Sequence, residues 1–156
     1  MKNYFLTLII FGILLLARAQ AGELRVGFAQ ISITPDLIDQ WVDINNDAQF
    51  DSNIDLWTDM NGNGKFDAVW MAGFQNQRPA QGIKDDLMAV AVVIDDGETR
   101  IGIISADTIG LMRKFVLSVR EDIPAEWGLD YLMVHATHNH EGPDTQGLWG
   151  PSFFKS

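Results

Sequence analysis

All three histidines of the chain fall in one stretch, Tyr131-Leu-Met-Val-His135-Ala-Thr-His138-Asn-His140-Glu141-Gly142-Pro143-Asp144. Neutral imidazole is the commonest transition-metal ligand and a ready proton carrier near neutral pH. A His-x-His pair on extended backbone presents both rings to the same side, because side chains alternate along a strand. Here the pair follows an apolar run that reads as a buried strand and precedes a Gly-Pro turn. That pattern predicts a metal or catalytic loop at a strand exit. Two imidazoles do not complete a zinc site, so further ligands have to come from elsewhere.

A second set of candidate ligands lies between Asp43 and Asp67. Asp43, Asn45, Asp47 and Asp51 are followed, sixteen residues on in each case, by Asp59, Asn61, Asn63 and Asp67. Both copies carry oxygen-bearing side chains at relative positions 1, 3, 5 and 9, with Phe50 and Phe66 at position 8. Gly64 stands at position 6 of the second copy, where a calcium loop turns sharply. Position 12 holds Ile54 and Trp70 rather than a bidentate Glu, so the pattern resembles shorter, dockerin-like extracellular calcium loops. Two readings follow: structural calcium sites, or acidic solvated turns without an ion.

The elements that position these residues can be read from apolar patterning. Leu24–Ile33 reads as a first strand, closed by Thr34-Pro35-Asp36 because Pro cannot donate to a ladder. Leu87–Ile94 and Thr99–Ala106 are apolar runs joined by Asp95-Asp96-Gly97-Glu98, a hairpin signature. That pair is predicted to be antiparallel and buried on both faces. Met112, Phe115, Val116, Val119 and Ile123 then recur at helical spacing, with Arg113, Lys114, Arg120 and Glu121 opposite. Pro124 and Gly128 end the helix, and Tyr131–Ala136 is the next strand. Strand, helix and strand at this spacing predict a βαβ unit with 101–106 and 131–136 parallel. The fold class is therefore α/β, a mixed sheet with a βαβ unit and an inserted calcium-loop-like segment, in an incomplete domain. Ligands gather beyond the carboxyl ends of parallel strands, so Asp107, His138 and His140 are predicted to share a rim. Asp107 either serves that site or caps the following helix. Arg78, Lys84 and Asp85, in an irregular polar connection, either line a site or are solvated, and the sequence alone favours the second.

Residues 1–21 have a short basic start, an apolar run over 4–16 and small residues around Ala17-Arg18-Ala19-Gln20-Ala21, the pattern of a secretory signal peptide. The expected destination is secreted or periplasmic, and the apolar run is short of the roughly 20 residues a membrane span needs. Residues 22–156 would then form the mature part. The formal net charge of −10 becomes −12 once Lys2 and Arg18 are removed with the peptide. That balance argues against nucleic acid and suits cations. No Cys is present, so disulfides contribute nothing.

Thr137-His138-Asn139-His140-Glu141-Gly142-Pro143 resembles the T-H-T-H-x-G-P signature of the neutral/alkaline (non-lysosomal) ceramidases. Arg25–Pro35, Ala72-Gly73-Phe74 and Ser105-Ala106-Asp107 are similar to the approach to that signature. The resemblance covers most of the mature part in order, interrupted by the acidic segment. It implies a zinc amidohydrolase of sphingolipid metabolism that cleaves the N-acyl amide of ceramide-like lipids. By that resemblance His138 is the zinc ligand and His140 orients water or the substrate carbonyl, with Asp107 as a second catalytic candidate. Asn139 departs from the usual Thr. Glu141 and Asp144 make the rim more acidic and favour a less lipid-like or cationic substrate. The family's further zinc ligands (a His, a Glu and a Tyr) lie downstream of the matched part, so residues 1–156 are expected to be an N-terminal portion, inactive alone. Two alternatives stand beside this reading. One is a metallohydrolase of another amide or ester on the same scaffold. The other is a non-catalytic exported calcium-binding module.

Overall fold

The computed structural model describes residues 22–151; the predicted signal peptide lies outside them. It is mixed α/β, mostly sheet. β1 (Arg25–Ser32), β4 (Met88–Asp95), β5 (Arg100–Ala106) and β6 (Tyr131–Ala136) form one sheet in the order β1-β4-β5-β6. β1, β4 and β5 are antiparallel neighbours, while β5 and β6 run parallel, Ile101 opposite Tyr131 through Ala106 opposite Ala136. The chain between β5 and β6 holds the helix α1 (Arg113–Asp122) and a short 3-10 turn (Ala125–Trp127). Gly128 closes that turn in the left-handed region, φ 60°.

These strands form where branched apolar residues concentrate, and they stop where the backbone loses a donor or turns. The β4–β5 hairpin closes as its Asp-Gly sequence predicts, with Gly97 at φ 92° and Asp96 N–H donating to the Thr99 carbonyl. Asp95 fixes the end of three strands. It accepts from Arg100 at 2.7 Å and from Arg25 of β1 at 3.2 Å. The Arg100 hydrogen bond, then the Gly97 N–H, holds its carboxyl below the usual value.

The expected burial of β4 and β5 on both faces is not what forms. Most of their residues are half-buried, and β1 is exposed throughout. Residues paired across strands share a face, so Val26, Phe28, Ile101, Tyr131 and Met133 all lie on one side and are exposed, Phe28 to 78%. Leu132, Ala106 and Gly102 lie on the other and are buried. α1 packs against β6 alone, which is too little to cover a four-stranded sheet. Arg120 also departs from its predicted outer face. Its Nε donates to the Leu132 carbonyl at 2.9 Å and its guanidinium lies over Tyr131. Asp107 does not cap α1, whose N-cap residue is Met112 with no side-chain cap.

The acidic segment forms a small unit of its own around β2 (Gln40–Val42) and β3 (Leu56–Thr58), an antiparallel pair with Trp41 opposite Trp57. Phe50 and Phe66 meet with ring centroids 4.0 Å apart. The sixteen-residue repeat therefore extends to both strands, both tryptophans and the preceding Asp39 and Asp55. These two carboxylates, each 5% exposed, are exchanged between copies. Asp39 accepts from the Met60 and Asp67 N–H groups of the second loop, and Asp55 from the Ile44 and Asp51 N–H groups of the first. Each loop is thus clamped by the residue that opens the other copy.

Both loops share a backbone path. Asn46 and Gly62 have φ 57° and 72°, and Ala48 and Gly64 have φ 59° and 75°. The left-handed region costs an L-residue roughly 1–2 kcal/mol, and Gly escapes that cost. A48G should therefore raise stability by about 1 kcal/mol and G64A lower it by a similar amount, read as urea midpoints. Nothing lies within 4 Å of a Cβ added at Gly64, so packing adds nothing to the second value.

Candidate functional site

The histidine loop begins where β6 leaves the sheet. Thr137 N–H donates to the Ala106 carbonyl and Asn139 N–H to the Thr108 carbonyl, so the exits of β5 and β6 stay side by side. His138 stands between these two donors at φ 64°, a left-handed position that a non-glycine residue adopts at a cost. The predicted extended backbone is therefore absent here. The two rings meet through a tight turn instead.

His138 Nδ1 is 2.8 Å from the Ile109 carbonyl oxygen, an acceptor only, so Nδ1 carries a proton and, in the neutral ring, Nε2 keeps the lone pair. That Nε2 lies 3.3 Å from His140 Nε2, with ring centroids 4.9 Å apart at 67°. His140 is packed by the segment before it in space. Phe74 meets its ring edge-on at 5.2 Å, and Gly73, at φ 77°, leaves room for it. A Cβ on Gly73 would stand 2.5 Å from His140 Nδ1.

Arg78 is the fastener of the site, contrary to its expected solvation: its side chain is 17% exposed. Its Nη2 donates to the His140 carbonyl at 2.9 Å and to the Ala72 carbonyl at 3.1 Å. Nη1 pairs with Glu141 at 3.4 Å, and the guanidinium lies over Phe74. Ala72 N–H donates to the Gly142 carbonyl, Asp144 N–H donates to the Trp70 carbonyl, and Met71 bridges to Pro143. Residues 70–78 thus form the bed on which 138–144 lies.

Asp107 shares the rim through its backbone but has a separate side-chain neighbourhood. Its Oδ2 accepts the Met88 N–H at 2.9 Å, and it lines a cavity of about 590 Å3 that neither His138 nor His140 borders. His135 is an exposed β6 residue beside Ser105, its Nδ1 3.3 Å from the Ala136 carbonyl, outside the pair. Asp144, expected on the rim, is buried instead and accepts the N–H groups of Gln146, Gly147 and Trp149.

In the first acidic loop Asp43 accepts from Asp47 and Ala48, Asp47 from Gln49 and the Asn45 amide, and Asp51 from Asn53. In the second, Asp59 accepts from Gly62, Asn63 and Gly64, while Asn61 and Asn63 both donate to Asp67. Residues 61, 63 and 67 are brought together. Among the described residues no group of three His, Cys, Asp or Glu side chains is placed to hold a metal ion.

Sequence reasoning missed the Ile109 carbonyl, favoured a solvated Arg78, and gave Gly73 and Phe74 only through the resemblance of Ala72-Gly73-Phe74. The Arg78 contacts that matter most for the loop, to the His140 carbonyl and Glu141, lie more than sixty residues away in sequence. Compared with family models, curated proteins and solved structures, the chain gives no match.

Two expectations follow. G73A should push the His140 ring away and separate the two Nε2 atoms, seen as altered imidazole nitrogen shifts in NMR with the β-sheet amides unchanged. Asp59 is held below its usual 3.8 by the Gly64 N–H first, with Gly62 and Asn63 adding to it. A depressed carboxyl stabilises above its unfolded value and loses that contribution as pH falls through the folded one. The second loop should therefore loosen below pH 3.8, and D59N should flatten that acid limb in a pH series of urea midpoints.

Proposed function

We propose that this chain is part of an exported, zinc-dependent amidohydrolase resembling the neutral ceramidases, with His138 and His140 on the metal. The observation that carries the reading is the 3.3 Å between the two Nε2 atoms. Two imidazole nitrogens, each about 2.05 Å from one tetrahedral zinc, lie about 3.3 Å apart. The Ile109 carbonyl supports it further, because it fixes the His138 tautomer and leaves Nε2 free, the usual outer contact of a ligating His. Zinc in such a site supplies Lewis acidity toward an amide carbonyl and toward water.

The chain's own residues then have distinct tasks. His138 Nε2 binds through its lone pair. His140 Nε2 would bind beside it, a ligand role that the short separation adds to the orienting role the resemblance implies, and Arg78 holds its carbonyl and so its place in the loop. The parallel β5–β6 pair with α1 between them supports a βαβ scaffold, with the histidine loop at its carboxyl end. The exposed apolar sheet face supports reading residues 22–151 as one portion of a larger domain that supplies the remaining ligands. The sixteen-residue repeat of oxygen-bearing side chains and the backbone path shared by both loops support structural calcium there; in the second loop the Asn61 and Asn63 amides that meet Asp67 would have to turn away for an ion to bind. Zinc amide hydrolysis by the full-length protein is the leading function, and another amide or ester is the alternative on the same site. No helix among the described residues is long and apolar enough to cross a membrane.

Titration of the full-length protein with zinc by calorimetry, and with cobalt by visible absorption, tests the site. Binding at one equivalent, weakened in H138A and in H140A, is the expected result. In the full-length protein, H138A and chelation should both abolish release of amine from N-acyl amides. Zinc binding unchanged by both substitutions would sink the reading, and calcium uptake alone would favour the non-catalytic module.

A further inference from the structure

The cavity of about 590 Å3 beside the histidine loop is bordered by neither His138 nor His140, and its size suits a small organic ligand. Its walls come from the exit of β1, the 69–80 segment, the approach to β4 and the histidine loop at Asn139 and Glu141. Leu37, Met71, Leu87 and Pro143 are apolar members of the lining. The charged lining is Asp85, Asp86, Asp107 and Glu141 against the single Lys84. Glu141 already has Arg78. Among the described residues no ion pair engages Asp85, Asp86 or Asp107. Asp86 accepts only from the Thr34 hydroxyl and Asp107 from the Met88 N–H, both neutral donors.

Uncompensated carboxylates around a half-enclosed space create a negative potential that a cation relieves. Such a potential suits a metal ion as well as an organic cation; the volume and the apolar part of the lining favour the longer body. We propose that this cavity binds an organic ammonium ion carried on a short aliphatic chain. Ammonium N–H groups meet the Asp85, Asp86 and Asp107 side, and the methylenes lie on Leu37, Met71 and Leu87. The site is independent of whether His138 and His140 hold zinc. If they do, the cavity selects cationic amide substrates rather than neutral lipids.

The test is titration of the chain with cadaverine, followed by NMR amide shifts in 82–87 and 139–142 and by calorimetry. Pentanoate and calcium serve as the anionic and inorganic comparisons. Saturable cadaverine binding is expected, weakened by added salt and absent for pentanoate. D85N should weaken it about threefold, and D85N with D107N about tenfold, since screened single charges act modestly and add when separate. H138A should leave it unchanged, while zinc uptake should be unchanged in D85N, so the two readings fail separately. If D107N disturbs the fold, D85N alone decides, because Asp85 is exposed and makes no ion pair. The proposal is overturned if cadaverine does not saturate, if calcium gives the same amide shifts, or if D85N binds as tightly.

Discussion

Much of the chain between its strands is neither helix nor sheet, so its backbone N–H groups need acceptors from elsewhere, and aspartate side chains supply them. Asp39 and Asp55 hold the two acidic loops across a distance in sequence, up to 28 residues in the case of Asp39 and Asp67. Asp43 and Asp59 close those loops locally. Asp107 ties the end of β5 to the start of β4, and Asp144 folds the stretch through Trp149 around itself. An ionised carboxylate offers about four acceptor sites and bonds more strongly than a neutral acceptor. An excess of acid over base, 21 against 11, is thus partly structural rather than only a surface property.

The histidine loop depends on the same economy of backbone groups. It carries no regular ladder beyond Asn139, so the 70–78 segment accepts and donates in its place, and Arg78 supplies the two donors that a carbonyl-rich turn lacks. One guanidinium therefore fixes the height of His140 above the sheet, while the Ile109 carbonyl fixes the rotation of His138. These two contacts come from different parts of the chain, so ring placement reports on the whole rim. A single methyl at Gly73 is enough to disturb it.

How much of this was legible in sequence follows from the range of each interaction. The four sheet strands lie within one residue of the runs Leu24–Ile33, Leu87–Ile94, Thr99–Ala106 and Tyr131–Ala136, because branched apolar runs and Asp-Gly or Pro stops act locally. The three-residue β2 and β3 were not legible in that way, since each exists only through its partner. Extending the sixteen-residue repeat back to Asp39-Gln40-Trp41 and Asp55-Leu56-Trp57 would have found them. Asp144 misled because a carboxylate beside a Gly-Pro turn looks solvent-facing, whereas three nearby N–H groups bury it. The left-handed His138 and the role of Arg78 arise from tertiary contacts that no local pattern carries.

The acidic loops also bear on how a cation would act on this fold. In the second loop the Asn61 and Asn63 amides point their N–H groups at Asp67, while their carbonyl oxygens accept from Asn63 N–H and Lys65 N–H. Partial positive charge from two amides thus stands where an ion's charge would fall, and the carboxylate is satisfied. A cation seated there would have to displace those amide donors, exchanging two neutral hydrogen bonds for direct coordination. The backbone need not change, because Gly62 and Gly64 already hold the turn and Asp39 already clamps its ends. Preorganisation of this kind lowers the ordering entropy that binding would otherwise cost. It also means the loop keeps its shape through its own hydrogen bonds, so an ion bound there would add stability to a formed structure rather than create one.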